Sequence, residues 1–526
     1  MIALPKQETK LMVAVHGWSG IVLGLLLYAV VLTGTAAVFA EEIGIWSGGH
    51  VATQSAFERP IASHVQKLGA DTPAEYREAV DLFETGDHDL GMFFHRHEME
   101  AGMPISRGWF YLVGADGAVK ERSFGTNEDV FGPRNDNAFS SFLVETHVRL
   151  HVPSPYGLIL TGVLGLAMLV AAISGLLIHR HLFKDIFTLR RGAKPVLLNR
   201  DRHSVAGTWS LPFAFILAFT GSFFSFFGTI GVPIVAMAAF GGDVEALNES
   251  VFGNPGTPDA RPTPTAGLDR ITIDAIRRAG AVPTFAAIEN FGRADAKVTT
   301  YHPPASGDIA PISLVYNGAD GTFDAQKPLI GPRPSVGGTL AAIMSPLHFG
   351  NFAGIVSKAI WFGLGFAMCY VTYTGLRLWL VRREAGSRSL DWLDRSLVIV
   401  GLGLPLALLG SGVAFLLTMP LETATFWTPA GFMIASAAVI AAGALWRSAA
   451  SFAQALTALT GVVMLALPIL RLLMGGPGWV NALEAGQWVI PTVDLALIVA
   501  GGALVRRLRF LEKSDADITP VMQAAE

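Results

Sequence analysis

The stretch LMVAVHGWSGIVLGLLLYAVVLTGTAAVFA, residues 11–40, decides the fold because it contains no Lys, Arg, Asp or Glu. As a helix rising 1.5 Å per residue it would be about 45 Å long, more than the ~30 Å hydrocarbon core of a bilayer. The apolar part of a cleaved signal peptide is shorter. We therefore interpret this stretch as a retained membrane helix.

Further apolar runs follow, and charged residues make up only 15% of the chain, against roughly 25% in soluble proteins. We predict eight membrane spans, at residues 12–40, 153–178, 205–230, 355–380, 396–418, 427–446, 452–473 and 487–505. The single cysteine, Cys369, excludes an internal disulfide, an iron–sulfur cluster and a cysteine-based zinc site. No basic block is long enough to indicate a nucleic-acid partner.

Positive charge alternates between the loops. Residues 179–203 contain seven Lys or Arg and residues 377–395 contain five, whereas the short loops 419–426 and 475–485 contain none. The positive-inside rule then places both termini and the basic loops in the cytoplasm, as in a multi-pass protein of the bacterial inner (plasma) membrane.

Two long polar segments, about 41–146 and 241–346, fall on the outer side. The first contains a predicted helix from Thr72 to Phe83 and a hairpin from Gly108 to Glu121. In the second we predict one helix and three strands, at Ile271 to Ala279, Pro283 to Asn290, Ala296 to His302 and Ile312 to Tyr316. We expect two small α+β domains, with a Pro/Gly linker at 252–266.

The predicted fold class is a polytopic α-helical membrane protein with about eight transmembrane helices and two small α+β periplasmic domains. Four helices form a duplicated core and four follow at the C-terminus. The predicted segments are the cytoplasmic N-terminus with span 1 (1–40), the first outer domain (41–146), spans 2 and 3 with the basic loop (147–240), the second outer domain (241–346), span 4 (347–385), spans 5–8 (386–510) and a cytoplasmic tail (511–526).

The first four spans carry an internal repeat. His16 and His203 are each followed by glycine after 4 and after 18 residues. Spans 2 and 4 match each other at Leu150-His151 and Leu347-His348, and at Ser174-Gly175 and Thr374-Gly375. We infer a duplicated unit of helix, outer domain and helix, which spans 5–8 do not share.

Histidines carry the chemistry of this repeat. Seven of the 13 lie at the ends of the first four spans: His16, His147, His151, His179, His181, His203 and His348. Ionisable groups at membrane depth are costly, which makes them functional candidates, and facing imidazoles are how a helix bundle holds haem iron. His16 and His203, at matching depth, are predicted to ligate an inner haem. His348, with His147 or His151, is predicted to ligate an outer one.

Glycine spacing adds to this prediction. Eighteen residues are five helical turns, so we place Gly34 on the same helix face as His16 and Gly221 on the face of His203. A small residue there would admit a second flat macrocycle. A single histidine near a membrane surface is often only an interfacial polar residue, and the repeat is what favours ligation.

Several alternatives stay open. The pattern does not separate His147 from His151, which are one turn apart. For His179 ligation and an interfacial role are balanced, and His181 is interpreted as interfacial. For the cluster His88, His95, His97, Glu98 and Glu100 we favour a solvated loop over a metal site. For Arg471 with Asp494 we favour a structural ion pair over a quinol or proton-relay role.

The chain resembles the PepSY-associated transmembrane family over roughly residues 10–385, about 70% of its length. The matching motifs are VHGWSGIVLGLLLYAVVLTG (15–34), HVRLHVPSPYGLILTGVLGL (147–166), SGLLIHRHLFKDIFTLR (174–190), DRHSVAGTWSLPF (201–213), LHFGNFAGIVSKAIWFGLG (347–365) and TGLRLWLVRR (374–383). The resemblance implies PepSY-like outer domains and an inner-membrane haem protein similar to ferric-siderophore reductases. It implies that the family's histidines are His16, His147, His179, His203 and His348, with His151 and His181 additional.

We therefore expect transmembrane electron transfer through two haem b groups bound by His16, His203, His147 and His348, in a chain surrounded by membrane lipid. Quinol or a separate reductase would be the donor, and a periplasmic ferric siderophore the acceptor. Such a protein would be a haem b oxidoreductase of the ferric-chelate reductase type, acting in iron uptake. Two alternatives are a siderophore or small-molecule permease, which an internal repeat allows, and a non-catalytic periplasmic sensor.

Overall fold

The computed structural model describes residues 5–100, 103–179, 187–190, 195–253, 257–329, 331, 333–382 and 391–523. His181 and part of the basic 179–203 loop lie outside the described residues. The α-helices are α1 (Lys6–Ala37), α2 (Ala40–Gly48), α3 (Ala62–Asp71), α4 (Asn127–Val130), α5 (Ala138–Arg149), α6 (Tyr156–Ile178), α7 (Pro195–Phe226), α8 (Val232–Phe240), α9 (Val244–Phe252), α10 (Leu268–Ala279), α11 (Val336–Phe349), α12 (Gly354–Arg382), α13 (Asp391–Thr418), α14 (Ala424–Leu445), α15 (Ala449–Leu473), α16 (Trp479–Glu484) and α17 (Val489–Gln523).

Eight helices are long and apolar enough to cross a membrane, which confirms the predicted number of spans. They are Lys6–Ala37, Tyr156–Ile178, Leu197–Phe240, Gly354–Leu380, Asp391–Leu421, Ala424–Leu445, Ala449–Leu473 and Val489–Arg507. The third is longer than the predicted 205–230. A π-helical turn at Phe227–Gly231 joins α7 to α8, just before Pro233, which has no N–H to continue the helical hydrogen bonds.

The chain divides into two compact units. The membrane unit comprises residues 1–51, 133–226 and 359–526, and the sheet unit comprises residues 52–132 and 227–358. Within the membrane unit, α6 packs against α1 and α7, while α13 packs against α14 and α15. Tyr28 on α1 donates a hydrogen bond from its hydroxyl to the carbonyl of Gly401 on α13 (2.7 Å). Cys369 is buried.

The sheet unit contains one antiparallel sheet of eight strands, in the order β4-β3-β2-β1-β5-β6-β7-β8. Its strands are β1 (Ala79–Glu84), β2 (Leu90–Glu100), β3 (Met103–Val113), β4 (Val119–Thr126), β5 (Phe285–Glu289), β6 (Lys297–His302), β7 (Ile312–Asn317) and β8 (Phe323–Lys327). Each predicted outer domain supplies four strands, and one helix of each, α3 in the first and α10 in the second, packs its buried side chains into the core of this sheet. The two halves are not separate sheets, because β1 pairs with β5 and so covers an edge that each half would otherwise expose.

Most predicted elements of the sheet unit are confirmed, namely the β3–β4 hairpin, helix α10 and strands β5, β6 and β7. The helix predicted from Thr72 to Phe83 is wrong. Helix α3 ends at Asp71, because Thr72 precedes a proline and its hydroxyl bonds back to Leu68 O (2.7 Å). Residues 79–84 form β1, where Val80 and Leu82 are buried in the core beneath α3 and α10.

The entry into span 2 also differs from the prediction. Helix α5 ends at Arg149, and α6 begins at Tyr156. Leu150 and His151 both have left-handed backbone angles (φ 50° and 59°), and the prolines at 153 and 155 do not continue a helix. His147 and His151 are therefore not one turn apart on a single helix.

Candidate functional site

Two predicted ligands meet in the membrane unit. His16 lies near the N-terminal end of α1 and His203 near the N-terminal end of α7. Their ring centroids are 6.2 Å apart and the ring planes are inclined by 68°. The two histidines that the sequence repeat pairs therefore lie side by side.

Each of these rings bonds a neighbouring helix through the same atom. His16 Nδ1 is 3.0 Å from the carbonyl oxygen of Ala171 on α6, and His203 Nδ1 is 3.0 Å from that of Val371 on α12. A carbonyl oxygen only accepts, so the proton of each neutral ring is on Nδ1 and the lone pair is on Nε2. This tautomer presents Nε2 as the metal-binding atom, with the carbonyl fixing the ring from behind.

A glycine lies against each ring, four residues after the accepting carbonyl. A Cβ atom at Gly175 would be 3.3 Å from His16 Cε1, and one at Gly375 would be 3.0 Å from His203 Cε1. We call this arrangement, a histidine bonded to a helix carbonyl and packed on the glycine four residues later, a histidine–glycine contact. A side chain at either position would press on the imidazole, which would have to move by a few tenths of an ångström.

The same contact recurs at His147. Its Nδ1 is 3.0 Å from the carbonyl oxygen of Val30, and a Cβ at Gly34 would be only 2.6 Å from its Cε1. Helix α5 thus brings His147 against α1. From the sequence we expected Gly34 to lie on the same face of α1 as His16 and to make room for a macrocycle. In the structure, Gly34 instead makes room for the His147 ring.

His151 has different surroundings. Its Nε2 is 2.9 Å from the hydroxyl of Thr146, and its ring stacks on Phe142 at a centroid distance of 4.7 Å. The structure therefore separates two histidines that the sequence left equivalent. His179 caps the C-terminal end of α6 and is partly buried. His348 lies in the sheet unit, in the last turn of α11, with its ring next to Phe349.

The His16–His203 pair could hold a haem iron. Each metal–imidazole nitrogen bond would be about 2 Å long, and ring centroids 6.2 Å apart are compatible with two such bonds to one iron. There is also space on the helix faces concerned. Among the described residues, no atom lies within 4 Å of a Cβ at Gly20, one turn after His16, and only Val371 Cγ1 does so at Gly207, one turn after His203.

The cluster at residues 88–100 is not the predicted solvated loop. Strand β2 carries His95 and His97 on one face, with centroids 5.2 Å apart, and His95 is buried beside Asp81. Throughout the part of the chain that the structure describes, no group of three or more His, Cys, Asp or Glu could hold a metal ion directly.

A second polar centre lies among the C-terminal spans. Arg471 Nη2 is 2.8 Å from Asp494 Oδ2, and both residues are only 1% exposed. The predicted ion pair is thus confirmed. The sequence did not anticipate that the indole of Trp46 on α2 also donates to this carboxylate, at 2.7 Å from Oδ1.

The sequence also missed the roles of Gly175 and Gly375, although the repeat marks both. The available signal was the pairing of each histidine at the start of one span with a glycine at the end of the next. Only the bonded carbonyls of Ala171 and Val371 explain why a glycine is needed there.

Known proteins resemble the chain over these same residues. The sequence profile of the PepSY-associated TM region matches residues 13–382, which covers His16, His147, His203 and His348 and stops before α13. A protein of Pseudomonas aeruginosa described as uncharacterized is 26% identical over 386 residues, covering 69% of this chain and 93% of the relative. With eight helices able to span a membrane and a match over most of its length, the chain belongs to the PepSY-associated transmembrane family.

Proposed function

We propose that His16 and His203 bind a haem b and that the chain transfers electrons across the bacterial inner membrane to a periplasmic acceptor. The observation that carries this proposal is the His16–His203 pair, with ring centroids 6.2 Å apart and both Nδ1 atoms bonded to carbonyls. When bound, haem iron supplies reversible one-electron chemistry.

The chain's own residues would set the properties of this site. The Ala171 and Val371 carbonyls orient the two imidazoles and increase the basicity of Nε2 by accepting from Nδ1–H. Gly175 and Gly375 let each ring lie close to its supporting helix. Together these contacts would fix both ligand side chains before the cofactor binds. Less conformational entropy of the side chains is then lost on binding.

A second haem b would use His147, whose contacts with Val30 and Gly34 repeat the arrangement of the first pair. The sequence repeat supplies His348 as the opposite ligand, and that pairing remains a prediction. The positive-inside rule assigns His16 and His203 to the cytoplasmic side and the sheet unit to the periplasm.

For the overall reaction we propose that one electron passes from quinol or a separate reductase to ferric iron held by a siderophore. Fe(III) gains the electron and becomes Fe(II). Hard oxygen ligands suit Fe(III), so this reduction weakens the chelate and releases the metal. Such an activity would place the protein in iron uptake as a ferric-chelate reductase.

The test is the visible difference spectrum, dithionite-reduced minus oxidised, of the full chain purified in detergent, together with its haem-to-protein ratio. We expect a b-type spectrum with about two haems per chain, falling to about one in His16→Ala and in His203→Ala. His302→Ala is the matched control. His302 Nδ1 also faces a carbonyl, that of Ala281, but its Nε2 faces the Thr300 hydroxyl at 2.9 Å.

Protein expressed with ample haem supply that still contains none would overturn the proposal and favour the permease and sensor alternatives. Equal haem loss in His302→Ala would show that the two other variants act only by disturbing the fold.

A further inference from the structure

The four C-terminal spans begin after the family match ends at residue 382. Of these, α13 and α14 contact α5, the helix that carries His147, and α17 contacts α2, which packs against α5. We propose that spans α13, α14 and α17 hold helix α5 in place and thereby position the His147 imidazole. This inference rests on the proposed function for its haem readout, but its structural readout does not require haem.

The first contact is made by Asn135, three residues before α5. Its Nδ2 donates to the carbonyl of Met419 (2.9 Å), and its Oδ1 accepts from the backbone N–H of Ala424 (2.9 Å). Met419 directly follows the last residue of α13, and Ala424 is the first residue of α14, whose backbone N–H has no acceptor within that helix. One side chain thus ties the start of α5 to the α13–α14 turn.

The second contact is aromatic and lies along one face of α5. Phe139 stacks on Phe415 of α13, with centroids 6.0 Å apart, and Phe142 packs on Phe432 of α14 at 5.4 Å. Gly412 makes room for this stacking, because a Cβ there would be 3.0 Å from Phe139 Cζ. The C-terminal spans therefore fit the shape of α5 closely.

The third contact passes through α2. Asp494 on α17 accepts from the indoles of Trp46 (2.7 Å) and Trp479 (2.8 Å) and from Arg471. Trp46 lies on α2, which packs against α5, and a Cβ at Gly44 of α2 would be 3.1 Å from Ser140 Oγ on α5. Asp494 is thereby connected to the His147 helix by a route separate from the α13–α14 turn.

The position of α5 matters because the His147 site has little tolerance. At Gly34 there is no room for even one added methyl group, and the bond from Nδ1 to Val30 O spans 117 residues of sequence. A shift of α5 by a few tenths of an ångström would lengthen that bond or press the ring on α1, because hydrogen bonds weaken steeply away from their preferred geometry.

The experiment compares matched variants of the full chain in detergent by hydrogen–deuterium exchange of residues 138–149. Trp46→Phe and Trp479→Phe each remove one indole N–H from Asp494, but only Trp46 connects it to α2. We expect exchange to become about tenfold faster in Trp46→Phe, the change that corresponds to one lost hydrogen bond of a buried group, and at least as fast in Asn135→Ala, which loses two. It should be unchanged in Trp479→Phe and in Asn127→Ala, which loses an exposed amide contact in the sheet unit.

The haem-loaded protein supplies the second readout. Trp46→Phe and Asn135→Ala should shift the midpoint potential of one haem and leave that of the His16–His203 haem unchanged. Exchange at the parent rate in both variants would overturn the inference, and so would equally fast exchange in Trp479→Phe. If the protein binds no haem, the proposed function fails, while the exchange data still decide whether the C-terminal spans position α5.

Discussion

The first four spans and the last four both place polar side chains at membrane depth, but the bonding of those side chains differs. At His16 and His203 a carbonyl accepts from Nδ1–H, and the tautomer places a lone pair on Nε2. At Asp494, three N–H groups donate to the two carboxylate oxygens. The contrast indicates that a polar residue in lipid is not functional merely because it is costly. A metal ligand differs from a structural contact in the atom that it offers. The histidines offer a nitrogen lone pair, whereas the carboxylate of Asp494 is already held by three donors.

The largest effect should come from breaking the centre at Asp494. Asp494→Asn would leave Arg471 buried without its counter-charge, and we expect a loss of about 3–5 kcal/mol in the free energy of unfolding. Asp394→Asn is the control, because its pair with Arg377 is more than one-third exposed on both sides, and such pairs contribute at most about 1 kcal/mol. Thermal unfolding in detergent measures both. Equal, small shifts in the unfolding temperature of the two variants would contradict a larger structural role for Asp494 than for Asp394.

The next effect tests the histidine–glycine contact. Gly375→Ala would place a methyl carbon 3.0 Å from His203 Cε1, so the ring must move away from its carbonyl. We expect haem to dissociate about 10–100-fold faster, the usual consequence of disturbing the groups that orient a metal ligand. Gly363→Ala lies on the same helix, and no described atom is within 4 Å of its Cβ. The measurement is haem transfer to an excess of a haem-binding acceptor protein, and equal rates in the two variants would contradict the contact's role.

A smaller effect separates the two histidines that the sequence could not. His151→Ala should retain the haem content of the parent protein, because its Nε2 faces Thr146, and should cost about 1 kcal/mol of stability through one lost hydrogen bond. His147→Ala should lose one haem per chain. Haem-to-protein ratios and unfolding curves of both variants check this, and haem loss confined to His151→Ala would reverse the assignment.

The smallest effect concerns a partly buried ion pair outside the membrane-spanning helices. In the sheet unit, Glu84 lies 3.4 Å from His88 Nδ1 and raises the pKa of His88. Burial alone would raise the pKa of Glu84, but its contacts with His88 and Ser55 outweigh burial and lower it.

The stability from His88 should be fully present below its unfolded pKa of about 6.5 and be lost as pH rises through its raised folded pKa. We expect less than about 1 kcal/mol between pH 6 and pH 9. His88→Asn, which suits the left-handed backbone at this position (φ 54°), should flatten that slope in a denaturant titration. A slope that persists in the variant would assign the titration to another group.

Much of the fold could be predicted from local sequence. The uncharged runs predict all eight helices that can span a membrane, and alternating residues predict the β3–β4 hairpin and strands β5, β6 and β7. The helix predicted at Thr72 to Phe83 begins where α3 ends, and its second half instead forms β1, because residues 79–84 pair with β2 on one side and with β5 on the other. The histidine repeat likewise predicts that His16 and His203 lie together, because it places both at the same depth in matching spans.

Sequence alone determined the membrane spans, because the backbone of each helix must satisfy its own hydrogen bonds in lipid and so each span is encoded by its own residues. Only the tertiary structure decided that β1 joins β5 in one sheet, that Gly34 receives His147, and that Trp46 reaches Asp494 across 448 residues of sequence. These pairings depend on which surfaces fit when distant segments pack, and no local pattern of hydropathy records that fit.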